Sequence, residues 1–254
     1  MNIALTHIVP EGINDCELSF RRREPIDLER ARAQHAAYCR MIGECGFVVA
    51  ELYVNAHHPD GVFIEDTAVV VDELAILTRP GAASRRGEVD GIEPVLAHYR
   101  PLERITKPGT LEGGDVLRVG RRLFVGLSAR TNREGIGQLD RILSPHGYQV
   151  APVPMEGCLH LKSAVTALDQ TTLLVRPGLF DPEPFAGFTG IEAHPDEPEA
   201  ANALRAGEFV CLHTGFRHTI ERVRKAGFKV KTVDISELLK AESGLTCSSI
   251  LLRN

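Results

Sequence analysis

A repeat runs through the sequence, and an internal repeat restricts the available folds more than any single motif. After Asp66 the run TAVVVDELAILT holds two short β-rich stretches around Asp72-Glu73. After Asp115, 49 residues later, VLRVGRRLFVGLS has the same shape around Gly120-Arg121-Arg122. His160 opens a third such segment, LKSAVTALDQTTLLV, turning at Asp169-Gln170. Asn202 opens a fourth, ALRAGEFVCLH, turning at Ala206-Gly207-Glu208. Apolar runs with turn residues between them read as β-hairpins.

Between the hairpins the apolar residues change to helical spacing: Val89, Ile92, Val95, Leu96 and Tyr99, then Ile136, Leu139, Ile142 and Leu143. Ile220 and Val223 mark another helix before Gly227, where glycine is the usual stop. The clearest helix comes first, with Asp27 as N-cap, Leu28, Ala31, Tyr38 and Ile42 along one face, and Gly46 beyond its end. Short strands follow these helices: FVVAEL, PLERI, YQVAPV and FKVKTV. The helix after the His160 hairpin, around 180 to 190, is poorly marked.

The unit is therefore hairpin, helix, strand. A fifth hairpin exists only if Cys247 to Leu252 pairs with the N-terminal run NIALTHIV. That pairing joins the two ends of the chain into a ring and leaves few exposed strand edges. The expectation is one α/β domain over residues 1–254, closed by its own termini.

Composition excludes several classes of function. The chain is 43% hydrophobic and 25% charged, with a net charge of −5, and has no basic stripe of the kind that binds nucleic acid or an anionic membrane. The cluster Arg21-Arg22-Arg23 is followed by Glu24 and reads as a solvated turn. No apolar run approaches the ~20 residues needed to span a bilayer, and the N-terminus lacks a basic n-region. Six cysteines without a CxxC pair read as reduced thiols of a cytoplasmic protein. His57-His58-Pro59-Asp60 lacks a second cluster at metal-site spacing, so no metal is expected.

If the units are equivalent, the residues just before each hairpin meet at one end of the ring. They are Glu65/Asp66, Glu112/Asp115, His160, Asn202 and Cys247. Each has a plain reading alone: a buried thiol, a hydrogen-bonded histidine, or acidic and glycine turns before strands. Arg85 and Arg130, each after the second strand of a hairpin, are by default surface charges and otherwise a clamp for an anionic group. Together they suggest chemistry. A thiolate attacks, and histidine passes a proton and then activates water. Carboxylates beside a thiol raise its pKa unless the substrate is a cation, and a guanidinium is the cation that carboxylates hold best.

The motifs PDGVFIEDTAVV, LTRPGAASRR, GTLEGGDVL, VGLSARTN, LHLKSAVTAL and GLTCSSILL resemble, in order and spacing, those of dimethylarginine dimethylaminohydrolases, members of the guanidine-modifying pentein superfamily. The resemblance runs from about residue 59 to the C-terminus. It implies a five-bladed ββαβ propeller and hydrolysis of N-ω-methylated arginine to L-citrulline through a covalent S-alkylthiouronium intermediate. By the same resemblance Cys247 is the nucleophile, His160 the general acid and base, and Glu112 the acid that orients His160. Asp60, Glu65 and Asp66 contact the guanidinium, with Phe63 beside them, and Arg85 and Arg130 grip the α-carboxylate. Ala241 offers a backbone carbonyl to the α-amino group, and Leu18 matches the contact from a lid spanning EGINDCELSFRRREPID. No cofactor is implied. The expected partner is the small-molecule substrate, and a homodimer is left open.

Three other readings compete. An arginine deiminase-like or citrulline-hydrolysing enzyme keeps the mechanism and changes the substrate. A non-catalytic binding ring, as in ribosome anti-association factors of this fold, has no reason to keep Cys247, His160, Glu112 and Asp66 together. A papain-like peptidase places cysteine before histidine, the reverse of the order here.

Overall fold

The computed structural model describes residues 1–253. Five sheets of three strands each contain an antiparallel pair followed by a parallel strand. The unit that follows Asp115 shows the pattern. Val116–Val119 and Arg122–Leu127 form a hairpin, the helix Arg133–Leu143 crosses over, and Gln149–Pro154 returns parallel to the second strand. A parallel partner requires a crossover connection, and the helix supplies it. Asn132 caps that helix by accepting from Gly135 N, and Ile136, Leu139 and Leu143 form its buried face.

The same plan organises Ala68–Val70, Ala75–Leu77 and Leu102–Arg104 around the helix Glu88–Ala97. It also organises Leu204–Ala206, Phe209–His213 and Lys229–Val233 around Arg217–Lys225. The unit opened by His160 departs from it. Between Thr172–Val175 and Thr189–Glu192 there is one 3-10 turn, Glu183–Phe185, where a helix was expected. Phe185 stacks on Phe124 of the neighbouring sheet at 4.4 Å between ring centroids, so aromatic packing covers the space a helix face covers elsewhere.

The remaining sheet combines the two ends of the chain. Ile250–Leu252 pairs antiparallel with the first strand, Ile3–His7, which pairs in parallel with Val48–Leu52. The crossover is the long helix Leu28–Glu44, capped by Asp27 and ending before Gly46, whose φ of +92° suits glycine. Tyr38 on its buried face donates to Leu245 O at 2.9 Å, tying the helix to the stretch before Cys247.

The first strands of all five units line a central cavity of about 310 Å³ through Ala68–Val71, Val116–Val119, Thr166–Ala167, Leu204–Arg205 and Ile250–Leu251. Each of these strands is entered from a 3-10 turn: Ile64–Thr67, Gly113–Asp115, Leu161–Ser163, Pro198–Ala201 and Thr246–Ser248. Neighbouring turns touch, so they form a cluster at one end of the cavity. No helix among the described residues is long and apolar enough to cross a membrane.

Candidate active site

The cluster of turns carries the polar residues singled out by the repeat. Cys247 lies in the Thr246–Ser248 turn, half-buried, and its Sγ accepts from Gly244 N at 3.3 Å. Asn202 holds that turn in place. Its Oδ1 accepts from Thr246 N and its Nδ2 donates to Thr246 Oγ1, both at 3.1 Å, while the same Nδ2 also donates to Lys162 O.

His160 is the residue before Leu161–Ser163 and is buried. Its Nε2 lies 2.7 Å from Glu112 Oε2 and 3.9 Å from Asp66 Oδ1. Asp115 fixes the same segment by accepting from Leu161 N at 3.0 Å and from Ser128 Oγ at 2.6 Å. The Glu-Gly-Gly-Asp run owes its glycines to close approach. A Cβ on Gly113 would lie 1.9 Å from Glu65 O, and one on Gly114 would lie 2.4 Å from His160 Nδ1.

Asp66 accepts from Arg85 Nη1 at 2.6 Å and from Gly114 N at 2.8 Å. Glu65 is held by Lys162 and accepts from Thr246 Oγ1 at 2.7 Å, which closes the site end of the central cavity. Arg85 is buried, donating from Nε and Nη2 to Glu88 and from Nη2 to Phe63 O. Four of its five N–H donors are therefore engaged within the protein. Arg130 is less committed, reaching Glu112 Oε1 at 3.4 Å and Ser19 Oγ at 3.0 Å. Asp60 accepts from Glu17 N through both oxygens. Leu18 and Cys247 pack against the apolar cluster that contains Phe63 and Ala241.

These contacts set the charge states. Burial alone would lower the His160 pKa, but Asp66, Glu112 and Asp115 outweigh it and raise it to about 9. Asp66 runs the other way. Burial would raise it, yet His160, Arg85 and the Gly114 N–H hold it down at about 2. Glu112 is likewise lowered against the effect of burial by its bond to His160. Burial and the nearby Glu65 and Asp66 push the Cys247 thiol up to about 12, and burial lifts Asp60 to about 6. At neutral pH the site holds an imidazolium on His160, ionised Asp66 and Glu112 carboxylates, and a neutral Cys247 thiol.

Asp66, Glu112 and His160 also bring ligand atoms within 4.8 Å of one another. Those groups already bond one another, Arg85 and Gly114. A cationic imidazole offers no lone pair to a metal.

The structure thus brings together Cys247, His160, Glu112, Asp66 and Glu65, with Asp60, Phe63, Leu18, Arg130 and Ala241 around them. It draws Arg85 inward against Asp66 and Glu88. Sequence reasoning passed over Glu88, Lys162 and Thr246. Glu88 had a local signal, three residues after Arg85 where a helical pair can meet. Lys162 and Thr246 lie within the motifs LHLKSAVTAL and GLTCSSILL, but their bonds to Glu65 join distant parts of the chain.

A thiol, an imidazolium paired with a carboxylate, and further acids thus share one end of the cavity, a set of groups suited to a cationic ligand. The arginine deiminase family model matches residues 59–206. The chain is 38% identical to N(G),N(G)-dimethylarginine dimethylaminohydrolase of Pseudomonas aeruginosa, over 88% of this chain and 89% of that one. It is also 38% identical to the enzyme of the same name from Streptomyces coelicolor, over 91% and 89% of the two chains. A solved structure of a cysteine-to-serine mutant of the Pseudomonas aeruginosa enzyme in complex with citrulline superposes with a TM-score of 0.92 at 34% identity, covering 98% of both chains. This chain belongs to the dimethylarginine dimethylaminohydrolase family, within the arginine deiminase-type penteins.

Proposed function

We propose that the protein hydrolyses N-ω-methylated arginines, asymmetric dimethylarginine and monomethylarginine, to L-citrulline and dimethylamine or methylamine. The observation that carries this reading is the placement of the Cys247 thiol in one cluster of turns with Glu65 and Asp66, whose charge together with burial keeps the thiol protonated and favours a cationic ligand beside it. A thiol held at about 12 is inert until a positive charge arrives. The substrate guanidinium is that charge. Asp66 and Asp60 receive it, and their carboxylate oxygens have lone pairs beyond those they already use.

As the cation docks, the thiol loses its proton to solvent and the Cys247 thiolate attacks the guanidinium carbon. His160, protonated up to about pH 9, gives its proton to the departing amine. The sulfur–carbon bond forms and the carbon–nitrogen bond breaks, leaving an S-alkylthiouronium on Cys247. Neutral His160 then takes a proton from water and the hydroxide attacks the same carbon; the carbon–sulfur bond breaks, and the new hydroxyl gives its proton to the departing thiolate, leaving the citrulline carbonyl and the Cys247 thiol. Glu112 holds the imidazole ring throughout.

Arg130 takes the larger share of the α-carboxylate, because Arg85 has one N–H left outside its bonds to Glu88, Asp66 and Phe63. All six cysteines are free thiols, which suits a reducing compartment, and the cytoplasm is the proposed location.

The test is citrulline release from asymmetric dimethylarginine, monomethylarginine and arginine side by side, with agmatine hydrolysis to N-carbamoylputrescine measured in parallel. Methylated substrates should be preferred, and agmatine, which lacks the carboxylate, should react at least about 100-fold more slowly, the scale expected for losing a charge-assisted contact. A preference for arginine would keep the mechanism and make the protein a deiminase. Fast agmatine turnover would remove Arg130 and Arg85 from substrate recognition.

A second expectation concerns the thiol alone. At pH 7 a cationic haloacetamidine should alkylate Cys247 at least about tenfold faster than the neutral haloacetamide with the same leaving group, since an adjacent positive charge lowers a thiol pKa. Equal rates would mean that the thiol is ionised before any cation binds.

A further inference from the structure

Ala241, whose carbonyl the family resemblance assigns to the substrate α-amino group, is followed by Glu242. Glu242 has a φ of +56° and is the one non-glycine residue in left-handed backbone among the described residues. Glycine or asparagine usually fills such a place after a helix. Glu242 N does close the short helix Ser236–Leu239, donating to Leu239 O at 3.2 Å, a role glycine would perform without strain. Strained backbone held in place at a site is a reason to ask what the side chain does.

The Glu242 carboxylate reaches the lid. Its Oε2 accepts from Ser19 N at 2.9 Å, and its Oε1 accepts from Phe20 N and Arg21 N. Three successive amides converging on one carboxylate form an anion nest, with the protein's own side chain as the anion. The contact is reinforced from the lid side. Arg21 donates to Leu239 O and, at 3.1 Å, to Glu199 Oε1, while Ser19 Oγ accepts from Arg130. On the opposite rim the lid is tied at Glu17, whose N–H donates to Asp60 and whose carboxylate accepts from Ser84. Leu18 lies between the two tethers and packs on the cluster shared by Phe63 and Cys247.

We propose that Glu242 is a positioning residue that latches the lid and couples its closure to capture of the substrate's α-amino-acid end. The coupling is covalent on one side. In a trans peptide the carbonyl points opposite to the following N–H, so anchoring Glu242 N on Leu239 O sets the direction of the Ala241 carbonyl. On the other side it passes through Ser19 to Arg130. Closing the lid therefore orders both groups that meet the α-amino and α-carboxylate ends, and Leu18 between them. This inference rests on the methylarginine reading of the pocket, but the first arm of its test does not.

The test compares the wild type with Glu242→Gly, Glu242→Gln and Glu242→Asp. Amide hydrogen exchange is read without substrate, and KM and kcat with asymmetric dimethylarginine. In Glu242→Gly the backbone suits its conformation, so the fold should persist. Exchange at Ser19, Phe20 and Arg21 should speed up at least about tenfold while the sheets keep their protection, and KM should rise about tenfold with kcat within about threefold. Glu242→Gln keeps an acceptor without the charge and should fall between glycine and wild type. Glu242→Asp should restore part of the exchange protection and of KM.

Unchanged exchange at residues 19–21 in Glu242→Gly would overturn the latch. Acceleration spread over the whole chain would overturn it too, showing a structural role. Faster local exchange with an unchanged KM would overturn the coupling to substrate. If no variant and no wild type turns over methylarginine, the exchange arm still decides the latch, and the failure belongs to the substrate reading.

Discussion

Cys247→Ser is expected to bind asymmetric dimethylarginine and to release citrulline at least about 10⁴-fold more slowly than the wild type, the scale on which loss of a nucleophile is felt. The reason is the environment that already burdens the thiol. Burial, Glu65 and Asp66 hold the Cys247 pKa up at about 12, and a hydroxyl in the same place starts from a far higher value. The substrate's charge can bring a thiolate within reach but not an alkoxide. Serine replaces sulfur with little change of shape, and the turn around it is held by Asn202 and Tyr38, so binding should survive. Calorimetric titration with substrate and a citrulline assay measure the two halves. Retention of more than a few per cent of the rate would remove the covalent step.

The second large effect is on the charge network. Asp66→Ala removes one of the two carboxylates that neutralise buried Arg85, leaves the Gly114 N–H without its acceptor, and takes a negative charge from beside His160. Breaking a buried ion pair from one side costs about 3–5 kcal/mol, and Glu88 keeps Arg85 partly paired, so about 3 kcal/mol is expected. For a chain of this size that is a fall in Tm of roughly 6–12 °C. Turnover should fall as well, since the guanidinium loses its seat.

The pH dependence follows from the two shifted groups. His160 has a folded pKa of about 9 against 6.5 for the free side chain, so its pairing stabilises fully below pH 6.5 and is lost as pH rises through 9. Asp66, held at about 2 against 3.8, contributes fully above pH 3.8 and is lost as pH falls through 2. In Asp66→Ala the acid-side contribution disappears and the imidazole titrates closer to 6.5. Thermal melts across pH and an NMR titration of His160 would show both. A Tm within 2 °C of wild type together with an unmoved imidazole would show that Asp66 is not the centre of the network.

Much of this architecture can be read from the chain because each blade is a local pattern. The hairpins around Asp72-Glu73, Gly120-Arg121-Arg122, Asp169-Gln170 and Ala206-Gly207-Glu208 each turn within a few residues, and alternation and turn chemistry act over that range. The helix from Leu28 to Glu44 announces itself by its cap, its apolar face and its terminal glycine. The 3-10 turn at Glu183–Phe185 had no such signal. There, packing of Phe185 on Phe124 decides the conformation, and that contact joins two blades.

The candidate site divides in the same way. The equivalence of the units was enough to place Asp66, Glu112, His160, Asn202 and Cys247 at one end of the ring, because a repeated backbone path returns corresponding residues to corresponding places. Which partner each side chain takes was decided only by tertiary structure. The inward turn of Arg85 onto Asp66 and Glu88, the hold of Lys162 and Thr246 on Glu65, and the reach of Glu242 to the lid amides are all of this kind. The physical reason is that charge neutralisation in a buried site depends on distances between atoms far apart in the chain, whereas strand, turn and helix preferences depend on near neighbours. The sequence by itself determined the blades and which candidate residues meet at one end of the ring; the tertiary structure decided their partners.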